Sequence, residues 1–210
     1  MTDRVDDQGT PLPLRPWLYS DRLIEAMAVA AQIHGAQARK GTSIPYLSHL
    51  LGTCSIALEH GASEDEAIAA LLHDAIEDGR PTDAARATVW RFGEAVGRIV
   101  EGCTDADTHP KPPWRERKEA YLARLATEDR STLLVSASDK LHNARSIVRD
   151  LRLVGDQVWD RFSAPRDETL WYYRSLVSTY RANAEHSPAL IAELERTVRE
   201  METLPAEGPS

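Results

Sequence analysis

The chain contains little cysteine, and it lacks the sequence features of secreted and membrane-spanning proteins. Cys54 and Cys103 are its only cysteines, too few for a disulfide framework, which favours a reducing compartment. The N-terminus has no basic segment followed by an apolar one, so we expect no secretory signal. No apolar run is long enough to cross a bilayer. We therefore expect a cytoplasmic protein with no membrane partner, and both cysteines in its core.

The chain also lacks a net positive charge. The chain has 25 Lys and Arg against 33 Asp and Glu, a formal net charge of −8. Such a balance lacks the electrostatic footprint of a nucleic-acid-binding protein, so we expect no nucleic-acid partner. A local cluster of Arg and Lys could still bind a small anion.

The alternating pattern of β-strands is absent, and the apolar residues recur at helical spacing throughout. The sequence therefore predicts an all-α helical bundle in a single domain at 17–203, with flexible tails at 1–16 and 204–210. It leaves open whether the protein is a monomer or a homodimer. A capping box at Ser63 marks the start of the third predicted helix. The predicted helices are Asp21–Arg39, Leu47–Glu59, Ser63–Asp78, 83–92, 94–102, Trp114–Ala126, Ser131–Val154, Pro165–Asn183 and Pro188–Met201.

The predicted helix ending at Asp78 is apolar on most sides yet carries four polar side chains. His73 and Glu77 lie one turn apart on it, as do Asp74 and Asp78, so all four share adjoining faces. Buried carboxylates at this spacing would repel one another, whereas a divalent cation keeps its ligands ionised. The alternative is a structural histidine followed by a solvated acidic helix end, to which Glu77 and Asp78 could belong.

His49 and Asp139 lie on two other predicted helices, so a site that includes them would be built between helices. A lone His is more often structural and a lone Asp is usually on the surface. Their combination with His73 and Asp74 favours a metal site.

These residues belong to a set of motifs that resembles a known family. The set is similar to the His-Asp (HD) metal-dependent phosphohydrolases, and most similar to the RelA/SpoT hydrolase domain and the stand-alone small alarmone hydrolases. The matching segments, in the family's order, are His34–Lys40, Ile44–His49, Leu72–Asp78, Phe92-Gly93, Gly102–Asp105 and Ser138–Arg145.

The resemblance implies a role for each of nine residues in an HD-domain bundle. It implies one Mn²⁺ ion held by His49, His73, Asp74 and Asp139. It implies that Glu77 and Asp78 position and deprotonate the attacking water. It also implies that a nucleotide is held by Arg39, Lys40 and Asn143.

The function implied by the resemblance is hydrolysis of (p)ppGpp, the alarmone of the stringent response, with release of pyrophosphate from the 3′ position. One alternative is another nucleotide or a phosphate monoester as substrate. A second alternative, from a different class, is a non-catalytic module that binds a nucleotide or a partner. The complete ligand set argues against such a module, which would not require the pair Glu77 and Asp78.

The remaining polar residues are assigned less specifically. We expect His34 to be structural and His142 to be either a partner of a metal ligand or a core residue. The basic residues near the site could form a pyrophosphate-binding patch or simply be solvated: Lys111, Arg115, Arg117, Lys118 and Lys140.

We expect aromatic packing among the C-terminal helices from Trp159, Phe162, Trp171, Tyr172 and Tyr173.

The chain departs from the family pattern at four places that spare the expected metal ligands. The turn Gly41–Ile44 is unusual, Leu50 replaces a common Pro, and Gly79 replaces a common Thr. The segment His109–Trp114 also differs from that of the long family members. We expect these changes to alter the rim of the pocket.

Overall fold

The structure is a computed structural model that describes residues 19–108, 110–183 and 187–204. The predicted tail at 1–16 lies outside the described residues, as do His109 and all of the predicted tail at 204–210 except Leu204. Both tail boundaries therefore stay predictions.

The described residues form ten α-helices, one 3-10 helix and no strand, which confirms the all-α prediction. Among these helices, none is both long and apolar enough to cross a membrane. The elements are α1 (Asp21–His34), α2 (Leu47–Glu59), α3 (Glu64–Leu72), α4 (Ala75–Asp78), α5 (Thr82–Trp90), α6 (Glu94–Cys103), α7 (Trp114–Leu125), α8 (Arg130–Val154), the 3-10 helix Gly155–Arg161, α9 (Arg166–Arg181) and α10 (Pro188–Thr203).

Helices α3 and α8 form the centre of the bundle. Helix α3 begins with the predicted capping box, in which Ser63 and Glu66 bond to each other's backbone N–H. It then runs through residues 67–72, all fully buried, and packs against α1, α2, α6 and α8. Helix α8 packs in turn against α2, α6 and α10. Asp139 and Asn143 therefore lie on one of the two central helices, and His73 and Asp74 directly follow the other.

Helix α1 is shorter than predicted, because it ends at His34 and not at Arg39. The residues that follow leave the helix and pair with a later segment. Arg39 N–H donates to the carbonyl of Ile44, and Tyr46 N–H donates to that of Gln37. These bonds close a turn within residues 37–46, a pattern that helical periodicity does not reveal. Arg39 and Lys40 consequently lie on a loop and not at a helix C-terminus.

The predicted helix from Ser63 to Asp78 is interrupted, so the assumption of a single uninterrupted helix was wrong. Helix α3 ends at Leu72, and α4 begins at Ala75 after a turn formed by His73 and Asp74. The His73 ring lies 2.8 Å from the carbonyl oxygen of Ala70, a local side-chain bond that competes with regular helix geometry. The break occurs at the two residues for which the sequence predicts metal binding.

The C-terminal aromatic residues are buried to different degrees. Trp159, Tyr172 and Tyr173 belong to the core, as predicted, whereas Phe162 is exposed over about a third of its surface. Trp159 lies within the 3-10 helix, which the sequence did not predict, and Phe162 directly follows it. Their rings lie 5.9 Å apart.

We expect Leu71→Ala to destabilise the fold strongly. Leu71 is fully buried at the centre of α3, and removing a buried leucine side chain costs about 2–5 kcal/mol. The matched control is Leu153→Ala on α8, where Leu153 is 64% exposed and the change should be within about 0.5 kcal/mol. Chemical denaturation measures the free energy of unfolding of both variants. Equal destabilisation by the two substitutions would contradict this packing.

Candidate metal centre and active site

The four candidate ligands come together from three parts of the bundle. His49 lies in the first turn of α2, His73 and Asp74 form the turn between α3 and α4, and Asp139 lies in α8. His49 Nε2 is 3.2 Å from Asp139 Oδ1 and 3.6 Å from Asp74 Oδ2. His73 Nε2 is 3.1 Å from Asp74 Oδ2 and 3.6 Å from Asp139 Oδ1. Both imidazoles therefore present the same nitrogen to the same two carboxylates.

The geometry of this cluster fits a divalent cation. His49 Nε2 and His73 Nε2 are buried, and neither has a hydrogen-bond partner among the described residues. With a carboxylate oxygen of Asp74, these nitrogens form a group in which all ligand atoms lie within 4.8 Å of one another. Imidazole and carboxylate suit several divalent ions, so the donor set is consistent with a metal but does not identify it.

The second nitrogen of each imidazole orients the first. His73 Nδ1 lies 2.8 Å from the carbonyl oxygen of Ala70, and His49 Nδ1 lies 2.9 Å from His142 Nδ1. Burial, together with His49 and Arg39, lowers the pKa of His142 to about 4, so His142 is neutral near pH 7. Its Nδ1 can then accept a hydrogen bond from the Nδ1–H of His49, which leaves Nε2 of His49 free to bind a metal. Of the two roles left open for His142, this contact favours the partner of a ligand.

Gly52 makes room for the His142 ring. A Cβ atom at this position of α2 would lie 2.2 Å from Cδ2 of His142, so any larger residue would displace the ring. The sequence offers no direct signal for this requirement, because the two residues are distant in the chain.

The two aspartates are also held by neighbouring side chains. The Tyr46 hydroxyl donates to Asp74 Oδ2 at 2.5 Å, while Asp139 accepts from Lys140 and Asn143, both at 2.5 Å. Burial alone would raise the pKa of each aspartate. His73 and His49 outweigh that effect at Asp74, and Lys140 and His73 do so at Asp139, so both pKa values fall well below the ordinary range. Both carboxylates are therefore ionised near pH 7.

A proton on His73 and a divalent cation are alternative ways to balance these carboxylates. Burial opposes protonation of His73, but Asp74 and Asp139 raise its pKa well above the ordinary value. Metal binding must displace that proton, so we infer that metal affinity falls as the pH falls.

Glu77 and Asp78 lie beside the cluster, on the short helix α4. The Lys111 ammonium donates to Glu77 Oε1 at 2.5 Å, and the Gln37 amide donates to Asp78 Oδ2 at 2.9 Å. Burial and the charge of Asp74 raise the pKa of Glu77, and Lys111 opposes that shift. Glu77 is thus a carboxylate of raised basicity close to the candidate metal ligands.

The three candidate substrate contacts line one cavity. Arg39 donates to Asn143 Oδ1 at 2.8 Å, and Asn143 in turn donates to Asp139. The cavity has a volume of about 220 Å³, and its lining includes Arg39, Lys40, Thr42, Tyr46, Asn143, Ser146, Ile147, Arg149, Asp150, Val158, Arg161 and Phe162. Tyr46 and Asn143 each contact one of the two aspartates, so this cavity adjoins the candidate metal centre.

Most of the charge around this cavity is positive. Asp150 pairs with Arg149 at 2.8 Å and with Arg161 at 2.7 Å. Neither Arg39 nor Lys40 forms an ion pair with another described residue. Both cations therefore remain able to bind an anionic or aromatic group.

Sequence reasoning did not assign roles to two side chains that support the site. Tyr46 holds Asp74, and Gln37 holds Asp78, although both residues lie within the matching motifs. Their position inside those motifs was the only available signal. His34 is buried, stacks on Tyr46 with ring centroids 5.1 Å apart, and lies 2.8 Å from Gln37, a position expected of a structural residue.

A known protein family matches most of this chain. The HD domain family matches residues 26–170. The chain belongs to the HD domain family, which confirms the resemblance and, with the His-His-Asp cluster, indicates a divalent-metal site.

Particular relatives lie in the alarmone-hydrolase branch. Guanosine-3′,5′-bis(diphosphate) 3′-pyrophosphohydrolase MESH1 of Xenopus tropicalis is 37% identical over 130 residues, which cover 60% of this chain and 70% of that protein. A protein with the same activity name from Aquifex aeolicus is 32% identical over 130 residues, which cover 61% of this chain and 18% of that longer protein.

Two solved structures share the fold. The structure of a metazoan orthologue of SpoT that hydrolyses ppGpp has a TM-score of 0.71 at 24% identity, and covers 88% of this chain and 97% of that one. The structure of lmo0812 from Listeria monocytogenes has a TM-score of 0.63 at 32% identity, and covers 75% of this chain and 96% of that one.

We expect His142→Ala to weaken metal binding without unfolding the protein. The substitution removes the side chain that contacts Nδ1 of His49, and loss of such a partner typically lowers metal affinity about 10- to 100-fold. Isothermal titration calorimetry with Mn²⁺ measures the affinity. His60→Ala, at the far end of α2, is the control and should retain wild-type affinity. Unchanged binding by His142→Ala would show that His49 needs no such partner.

Proposed function

We propose that this protein is a Mn²⁺-dependent (p)ppGpp 3′-pyrophosphohydrolase of the small alarmone hydrolase type. One observation supports this most directly: the buried cluster of His49, His73, Asp74 and Asp139 adjoins a cavity lined by the cations Arg39 and Lys40. A metal-ligand set beside unpaired cations suits cleavage of a phosphate ester. A cytoplasmic location remains part of the same hypothesis.

The relatives support the choice of substrate. The MESH1 proteins of Xenopus tropicalis, Homo sapiens and Mus musculus are named for hydrolysis of guanosine-3′,5′-bis(diphosphate), and each is 36–37% identical to this chain. The HD-domain match at residues 26–170 includes the segments that carry the candidate ligands.

His49, His73, Asp74 and Asp139 would hold the Mn²⁺ ion. When bound, such an ion supplies Lewis-acid polarisation of a phosphoryl oxygen and lowers the pKa of a bound water. The chain's own contribution is to orient the two imidazoles through His142 and the Ala70 carbonyl.

Glu77 and Asp78 would handle the proton of the attacking water. Glu77 has a raised pKa and lies beside the cluster, as a general base requires. The water oxygen forms a bond to the phosphorus attached to the ribose 3′ oxygen, and the bond between that phosphorus and the 3′ oxygen breaks. The 3′ oxygen takes up a proton, and the products from ppGpp are GDP and pyrophosphate.

Arg39, Lys40 and Asn143 would hold the nucleotide. An arginine guanidinium can stack on a purine, and a lysine can neutralise phosphate charge. Asn143 contacts both Arg39 and Asp139, so it links the nucleotide cavity to the candidate metal ligands. Recognition and chemistry would then be coupled through one side chain.

A substrate panel tests the proposed function. Protein loaded with Mn²⁺ should release pyrophosphate from ppGpp, and should act poorly on GDP, on GTP and on a simple aryl phosphate. Glu77→Gln should retain the metal but lose activity about 100- to 10,000-fold, since it cannot accept the proton. Faster cleavage of another nucleotide or ester would favour the alternative enzyme. Binding without turnover of any substrate would favour the non-catalytic module.

We expect the acidic limb of the pH–activity profile to follow Glu77. A base must be ionised, and its pKa lies above the ordinary value of 4.5, so activity should fall as the pH drops through that raised pKa. Lys111→Met removes the interaction that opposes the shift and should move the limb to higher pH. Lys111→Arg, which keeps the charge, is the control. A limb that does not move in Lys111→Met would count against Glu77 as the base.

A further inference from the structure

A group of cations contacts Asp139 through Oδ2, whereas Asn143 of the nucleotide cavity contacts Oδ1 of the same carboxylate. It consists of Arg117 and Lys118 of α7 and Lys140 of α8, and we call it the α7 cation cluster. Lys140 Nζ donates to Asp139 Oδ2 at 2.5 Å, and Lys118 Nζ donates to Asp105 Oδ2 at 2.6 Å. Arg117 donates to the same oxygen of Asp105.

The α7 cation cluster carries more positive charge than its carboxylates balance. The side chains of Arg117 and Lys118 are each 14% exposed, and that of Lys140 is 15% exposed. Arg117 and Lys118 both form ion pairs with the single carboxylate of Asp105. Lys140 forms an ion pair with Asp139, which is also a candidate metal ligand. Burying unbalanced charge is costly, so this arrangement favours a bound anion.

The ionisation of Lys118 agrees with an excess of positive charge. Burial, together with Lys140 and Arg117, lowers its pKa although Asp105 opposes the shift. An anion placed between these cations would reverse that effect.

Two hydrogen-bond donors in the same region have no partner among the described residues. They are Nε of Arg117 and the hydroxyl of Tyr172, and both atoms are buried. Lys118 Nζ lies 4.7 Å from the centroid of the Tyr172 ring, which places the tyrosine beside the cations. Buried polar atoms normally have partners, so the two donors indicate a missing acceptor. Asp105 Oδ1, a buried acceptor in the same cluster, also lacks a partner among the described residues and indicates a donor beside it.

Arg115 does not belong to this cluster, although it lies on the same helix. Its guanidinium pairs with Glu119 at 2.7 Å and with Glu168 at 2.9 Å, and it lies over the Trp171 ring. Its side chain is 44% exposed. The charge of Arg115 is therefore balanced by carboxylates at the surface, unlike the charges of Arg117 and Lys118 on the same helix.

We propose that Lys118, Lys140, Arg117 and Tyr172 form a subsite for the distal phosphate of the 3′-diphosphate, which leaves as pyrophosphate. The subsite rests on the proposed function, and it orients the substrate across the candidate metal centre. The nucleoside occupies the cavity of about 220 Å³ beside Arg39, and the diphosphate extends past Asp139 toward α7. Lysine and arginine supply charge, and Tyr172 supplies a neutral donor.

Binding of inorganic pyrophosphate tests the subsite without turnover. The protein is loaded with one equivalent of Mn²⁺, freed of excess ion and titrated by calorimetry. Lys118→Met should weaken pyrophosphate binding about 10- to 100-fold, because it removes one charged hydrogen bond. Arg115→Met on the same helix is the matched control and should change the affinity by less than about twofold. Lys118→Arg should restore most of the binding.

Tyr172→Phe provides a second test that separates binding from folding. Since the Tyr172 hydroxyl has no partner among the described residues, its removal should leave the thermal midpoint unchanged. It should still weaken pyrophosphate binding about 3- to 10-fold. If Lys118→Met does not fold, this variant alone decides the proposal.

The outcomes distinguish the subsite from the proposed function. Wild-type affinity in both Lys118→Met and Tyr172→Phe, or an equal loss in Arg115→Met, overturns the subsite even if ppGpp is hydrolysed. Selective loss of pyrophosphate binding supports the subsite. Failure of the wild-type protein to hydrolyse ppGpp refutes the proposed function whatever the variants bind.

Discussion

The architecture of the site depends on how two imidazoles and two carboxylates are accommodated inside an apolar bundle. His49 Nε2 and His73 Nε2 are buried and lie 3.1–3.6 Å from oxygens of Asp74 and Asp139. Polar groups in such a position are costly unless a partner compensates them. A divalent cation would compensate all four at once.

The surrounding contacts keep these ligand atoms available. Each histidine directs Nδ1 toward a protein partner, His142 for His49 and the Ala70 carbonyl for His73. Tyr46 holds Asp74, and Asn143 holds Asp139. Because every one of these contacts orients a candidate ligand, the geometry of the cluster depends on residues from α3, α8 and the loop between α1 and α2.

The two sides of the candidate metal centre differ in shape and charge. One side is an open cavity where Arg39 and Lys40 remain unpaired among the described residues. The other is a closed region where Lys118 and Lys140 contact Asp105 and Asp139. This asymmetry suits an asymmetric substrate, with a nucleoside at one end and a diphosphate at the other. It would set the orientation of the substrate in the proposed reaction.

Much of the fold and of the candidate site could be predicted from the sequence by itself. Helical periodicity determined the all-α class and the bounds of α2, and the capping box at Ser63 marked the start of α3. The motifs brought out the residues that cluster here, because imidazoles and carboxylates in apolar segments are unusual. Only the structure decided that α1 stops at His34, that α3 breaks at His73, and that the side chain of Lys118 is 14% exposed while that of Arg115 is 44% exposed. Those features depend on particular backbone bonds, side-chain contacts and the balance of charge, and helical periodicity carries no information about them.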